Sequence, residues 1–146
     1  MENPLLRSGL ALAGANTWLN GGTPPEDAED GLLTAADVAG LDLQGTELVV
    51  LSACQTGLGE IRTGEGVFGL RRAFVLAGAR TLVMSLWSIP DEETALLMRM
   101  FYRGMLAGAP RAQALREAQL RLQATRPDPF YWGAFICQGD PGPIGA

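Results

Sequence analysis

The chain has 146 residues, 47% of them apolar and 18% charged, and its 11 basic side chains against 16 acidic ones leave a net charge of −5. A chain of this length can bury enough surface to hold one core without disulfides. No apolar run approaches the ~20 residues of a bilayer span, and the acidic balance lacks the basic footprint of a nucleic-acid binder. Histidine and lysine are both missing, so these residues alone complete no Ser/His or Cys/His couple, no histidine-bearing metal site and no lysine Schiff base.

The two cysteines, Cys54 and Cys137, stand far apart in the sequence with no ligand cluster around either, which does not read as zinc. The N-terminus, Met-Glu-Asn-Pro-Leu-Leu-Arg, has no basic segment leading into an apolar one and so does not read as a secretory signal. A reducing, cytosolic compartment with two free thiols is the expectation, with no metal and no cofactor.

In chain order, the apolar run 10–13 stops at Gly14, and apolar character resumes at Gly31-Leu32-Leu33 after an acidic, Gly/Pro-rich stretch. These two pieces predict a small hairpin with a long loop. Glu26, Asp27, Glu29 and Asp30 read as a solvated face of that loop. Thr34-Ala35-Ala36-Asp37 matches a capping box and predicts a short helix to about Ala39. Residues 47–53, Glu-Leu-Val-Val-Leu-Ser-Ala, form an apolar run of strand length with Cys54 at its carboxyl end.

From Gly66 the period becomes helical, with Val67, Leu70, Phe74 and Ala77 on one stripe and Gly78 as the stop. Residues 81–87 predict a second buried strand. Pro90-Asp91-Glu92-Glu93 opens a helix whose early carboxylates suit the positive end of its dipole, with Leu97, Phe101 and Met105 facing inward. Pro110 opens the last helix, with Leu115, Ala118 and Leu122 inward. Residues 130–137 predict a third strand, and residues 140–146 a tail following a domain over 1–139. The order predicts an α/β fold with a mostly parallel sheet covered by helices on both faces. In such sheets chemistry gathers at the carboxyl ends of strands, where Cys54, Trp87 and Gln138 are expected.

Two chemistries compete in these residues. Gly64-Glu65-Gly66-Val67-Phe68-Gly69 satisfies G-x-G-x-x-G ahead of a helix, with Asp91 after the next strand, as in a dinucleotide site. Against it, residues 55–63 separate the glycines from the preceding strand, and Glu65 puts a negative charge where a pyrophosphate would sit. Cys54, followed by Gln55, Thr56 and Gly57, reads either as a thiol displayed at the sheet rim among backbone N–H donors able to hold an oxyanion, or as a small apolar core residue. Cys137, inside a strand, reads as core.

Several stretches in order carry a resemblance: residues 49–57 (Val-Val-Leu-Ser-Ala-Cys-Gln-Thr-Gly), residues 64–74, Ser85-Leu86-Trp87 followed by Asp91-Glu92, and residues 130–135. Asn3-Pro4-Leu5-Leu6, Ser8-Gly9-Leu10 and residues 30–35 extend it over nearly the whole chain. Together they resemble the CHAT domain, a caspase-like cysteine peptidase family associated with tetratricopeptide repeats. The resemblance implies a caspase-like three-layer α/β sandwich and an endopeptidase that cuts a protein partner. Its nucleophile maps onto Cys54, with oxyanion donors from the backbone of Cys54 and Gln55. Ser85, Trp87 and Asp91 would line the substrate cleft, with Trp87 reading alternatively as a core aromatic at a sheet edge, and Glu60, Glu65 and Asp91 read either as an acidic S1 pocket or as surface caps. The family's catalytic histidine lies on a strand upstream of Asn3, so the chain is expected to be the C-terminal part of such a domain, inactive alone. A non-enzymatic pseudo-protease interaction module is the alternative. The expected partners are a protein substrate, tetratricopeptide-repeat regions of a longer parent, and a second copy paired through the edge of the Cys54 strand.

Overall fold

The structure is a computed structural model, and it describes residues 4–6, 8–23, 25–27, 29–52 and 65–145. It divides into two compact units, Met1–Leu43 with Thr56–Gly78, and Gln44–Gln55 with Ala79–Ala146.

In the first unit the expected hairpin forms from β1 (Gly9–Ala11) and β2 (Leu32–Thr34), antiparallel with Leu10 opposite Leu33. A short helix, α1 (Ala15–Leu19), follows β1. Gly31 closes the far side of the loop at φ +76°, where a Cβ would collide with the backbone of Ala15, so only glycine fits. Helix α2 (Ala35–Ala39) starts at the capping box read from the sequence. The Thr34 hydroxyl oxygen accepts from the Asp37 N–H at 3.2 Å, and the Asp37 carboxylate accepts from the Thr34 N–H at 2.9 Å and the Thr34 hydroxyl at 2.6 Å. Helix α3 (Glu65–Leu76) packs Leu70, Ala73 and Phe74 inward, Ala77 is buried just past its end, and Val38 of α2 is buried with them. The Val67 side chain lies outside the described residues.

Those hydrogen bonds, the Thr34 hydroxyl first and its N–H second, hold the Asp37 carboxyl below its ordinary value of about 3.8. A carboxylate stabilised in the folded state contributes fully above that ordinary value and loses the contribution as pH falls from it through the lower folded one. Thr34→Ala is expected to cost about 0.5–2 kcal/mol near neutral pH. Asp37→Asn is expected to be less stable than the wild type at about pH 6, and the difference is expected to narrow at a pH below the ordinary value of 3.8. Urea unfolding midpoints at the two pH values check both.

The second unit carries a three-stranded sheet in the order β3 (Val49–Leu51), β4 (Thr81–Ser85), β5 (Phe135–Gly139). β3 and β4 run parallel, with Val50 opposite Val83. Helices α4 (Asp91–Leu106) and α5 (Arg111–Thr125) supply the expected stripes: Leu97, Phe101, Leu115, Ala118 and Leu122 are buried against Val83 and Phe135, with Val50, Met105 and Cys137 packed at the margin.

Two expectations are corrected here. Residues 130–137 are not one strand: α6 (Pro129–Trp132) is a short helix capped by Asp128, whose carboxylate accepts from the Phe130 N–H, and the strand begins only at Phe135. β5 is antiparallel to β4, with Leu82 opposite Gln138 and Ser85 opposite Phe135. The reason is parity: two long helices joined by the short link 107–110 reverse the chain twice, so β5 starts from the end at which β4 stopped. Among the described strands the sheet is therefore mixed rather than mostly parallel. Gln138 lies beside the start of β4, at the opposite end from Trp87.

Candidate functional site

Parallel pairing puts the carboxyl ends of β3 and β4 at one end of the sheet, with Leu51 opposite Met84. From β3 the chain continues through Ser52 toward Cys54. Cys54, Gln55 and Glu60 lie outside the described residues, as does the Glu65 side chain. What the structure describes at this end is the β4 exit and the elements that hold it.

Ser85 is buried, and its hydroxyl donates to the Trp87 carbonyl at 2.5 Å, which fixes the bend after β4. The Leu86 N–H donates to the Ala134 carbonyl at 2.9 Å, extending the ladder with β5 by one residue. The Trp87 indole N–H donates to the Phe130 carbonyl at 2.9 Å, and the ring passes over Gly133. Trp87 is thus held at both backbone and ring while remaining 37% exposed, an arrangement that presents an apolar face with little left to order on binding. Phe130, itself exposed, meets Tyr131 edge-on at 5.3 Å. Asp91, exposed at the first turn of α4, follows the same exit.

The sequence points to Ser85 and Trp87 as cleft candidates but not to α6, whose Phe130 carbonyl fixes the indole. The signal was present in Asp128-Pro129, an N-cap residue followed by proline at the first helical position. Cys137 is a free thiol inside β5, half-buried, and burial pushes its pKa up while the nearby Arg111 charge opposes that in lesser measure. In the glycine-rich stretch, Gly66 and Gly69 lie inside α3, and residues 52–63 separate Gly64 from the end of β3. Among the described residues no helix is long and apolar enough to cross a membrane.

Comparison with known proteins bears on these residues as a set. The family model described as the CHAT domain matches residues 1–140. Human tetratricopeptide repeat protein 28 is 37% identical over 110 residues, covering 74% of this chain, and its mouse counterpart is 36% identical over the same share. The chain spans about 4% of the length of these curated relatives. A family match over nearly the full length and two relatives sharing more than a third of the aligned residues lead to one conclusion: the chain belongs to the CHAT domain family.

Proposed function

We propose that the chain is the nucleophile-bearing part of a CHAT-type cysteine endopeptidase with a caspase-like architecture, acting on a protein partner in the cytoplasm. Cys54 is the nucleophile. The backbone N–H groups of Cys54 and Gln55 are the oxyanion donors. Ser85 and Trp87 form a wall of the substrate cleft, with Asp91 at its rim. The observation that carries the reading is the parallel pairing of β3 with β4, which leads the chain toward Cys54 from the same end of the sheet at which Trp87 is held exposed. In the reaction the Cys54 sulfur attacks the scissile carbonyl carbon, the C–N bond breaks as the amine takes a proton, and water then hydrolyses the thioester. No residue of this chain offers an imidazole for those proton transfers, so turnover requires one from elsewhere. The tetratricopeptide repeats named in the relatives support a parent protein in which such repeats accompany this domain. Competitive alkylation of Cys54 against Cys137, run beside a peptidase assay, tests the reading.

One observation favours the second reading, a non-enzymatic interaction module. Among the described strands, β3 pairs only with β4, which leaves one edge of an apolar strand open, and folded proteins normally cover such an edge. A module of this kind recruits a second copy by strand pairing. Light scattering at micromolar concentration is expected to show mass rising with concentration. A monomer at all concentrations would refute pairing of copies through β3.

A further inference from the structure

At the end of the sheet away from Trp87, Glu47 stands two residues before β3 and Arg80 one residue before β4. The Glu47 carboxylate is a shared acceptor. One oxygen takes Nη2 of Arg111 at 2.9 Å and the Gly145 N–H at 2.8 Å, and the other takes Nη1 of Arg80 at 3.4 Å. Arg111, the first residue of α5, is 0% exposed. Its Nη1 donates to the Gly142 carbonyl at 3.0 Å and lies 3.7 Å from the Asp140 carboxylate, while its Nε has no partner among the described residues.

Residues 140–145, expected as a tail, form the strap that shuts water out. The Thr81 hydroxyl donates to the Asp140 carbonyl at 2.7 Å, the Gly142 N–H donates to the Asp140 carboxylate at 2.8 Å, and the Arg111 N–H donates to the Gly142 carbonyl at 3.0 Å. Gly139 turns the chain into this strap at φ +101°, where any Cβ would strike the Arg80 carbonyl.

A guanidinium taken fully out of water is tolerable only against a paired carboxylate. The Arg111 contact therefore fixes Glu47 in a way that the largely exposed Arg80 contact does not. β3 needs such a fixed point, because it is three residues long and bonded on one side among the described strands. A slip by one residue would turn Val50 out of its row with Val83 and Cys137.

We propose that Glu47, held by Arg111, is a positioning residue that pins the start of β3 against β4 and so keeps the carboxyl ends of the two strands level. The inference rests on the function proposed above for its consequence, since the level of β3 sets where the chain departs toward Cys54.

The test is hydrogen exchange of the peptide covering residues 46–52 in the full chain, together with the pH dependence of Cys54 alkylation by iodoacetamide. Glu47→Gln is expected to speed exchange in that peptide by about tenfold relative to the rest of the second unit and to move the alkylation midpoint. Glu93→Gln, which breaks the distant pair with Arg126, is the control and is expected to leave the peptide's relative exchange unchanged. Should Glu47→Gln fail to fold, the double variant Glu47→Gln with Arg111→Met removes both charges, avoids the orphaned cation, and is expected to give the same local loosening. In a folded variant, exchange that rises no more than in the control, or an alkylation midpoint that stays in place, overturns the proposal. A wild-type Cys54 that iodoacetamide does not label, beside loosened β3 exchange in the variant, refutes the nucleophile assignment and leaves the pin standing.

Discussion

Brief treatment of the native chain with iodoacetamide is expected to label Cys54 before Cys137, and the same preparation is expected to hydrolyse no peptide. The order of labelling follows from the surroundings of Cys137: it is half-buried in β5 against the α4–α5 core, and burial raises its pKa, so little thiolate forms and little of that is reachable. A cysteine thiol with the ordinary pKa of ~8.5 is a few per cent thiolate at neutral pH, enough for an alkylating agent supplied in excess. Peptide hydrolysis asks for more, because the leaving amine must be protonated and the attacking water deprotonated. A positioned general acid and base contributes about 10²–10⁴-fold, and a sequence without histidine has no imidazole to give. Mass spectrometry of the labelled protein and a fluorogenic peptide panel, each repeated with Cys54→Ala, decide the matter. Faster labelling at Cys137 would reverse the assignment of the accessible thiol. Robust cleavage that disappears in Cys54→Ala would mean that another residue of the chain serves as the base.

What the sequence made legible is what local chemistry decides. The capping box at Thr34 and Asp37 spans only four residues and forms as read. The stripes Leu97–Phe101 and Leu115–Ala118–Leu122 each express one helical period, and all five side chains are buried. The failures lie where the deciding contact is remote or the local signals conflict. Phe130, Tyr131 and Trp132 favour strands by propensity, yet the Asp128 carboxylate and Pro129 impose a helical turn first. The direction of β5 is written in no residue of β5, because it depends on how many helices precede it, and the same parity removes Gln138 from the end where chemistry was expected. Arg111 reads as an ordinary charge in a helix opening with Pro110; its burial comes from Glu47, 64 positions away, and from a strap of small residues whose composition suggests a loose tail. The likeness to the CHAT domain makes Cys54 and Gln55 candidates, both outside the described residues, and the fold adds to it the elements that hold Ser85 and Trp87.

Phe101→Ala is expected to be the most damaging single change in the second unit. The ring is 0% exposed in the middle of α4, in a cluster with Val83 of the sheet and Leu97, Leu115 and Leu122 of the two helices. Deleting a buried phenyl group loses its transfer energy and leaves a cavity that rigid neighbours fill only in part, at a cost of about 3–5 kcal/mol. Against the roughly 5–15 kcal/mol that holds a domain of this size together, that is a large fraction, and thermal unfolding is expected some 10–20 °C lower. Leu106, five residues further along the same helix and 88% exposed, is the internal comparison. Leu106→Ala removes a side chain of similar hydrophobicity that buries almost nothing, so its effect is expected to stay within about 0.5 kcal/mol of zero. Calorimetry on the two variants separates burial from composition. Equal shifts for both would show that Phe101 does not occupy the core of the α4–α5 layer, and the packing that supports β4 beneath Ser85 and Trp87 would then have to come from other residues.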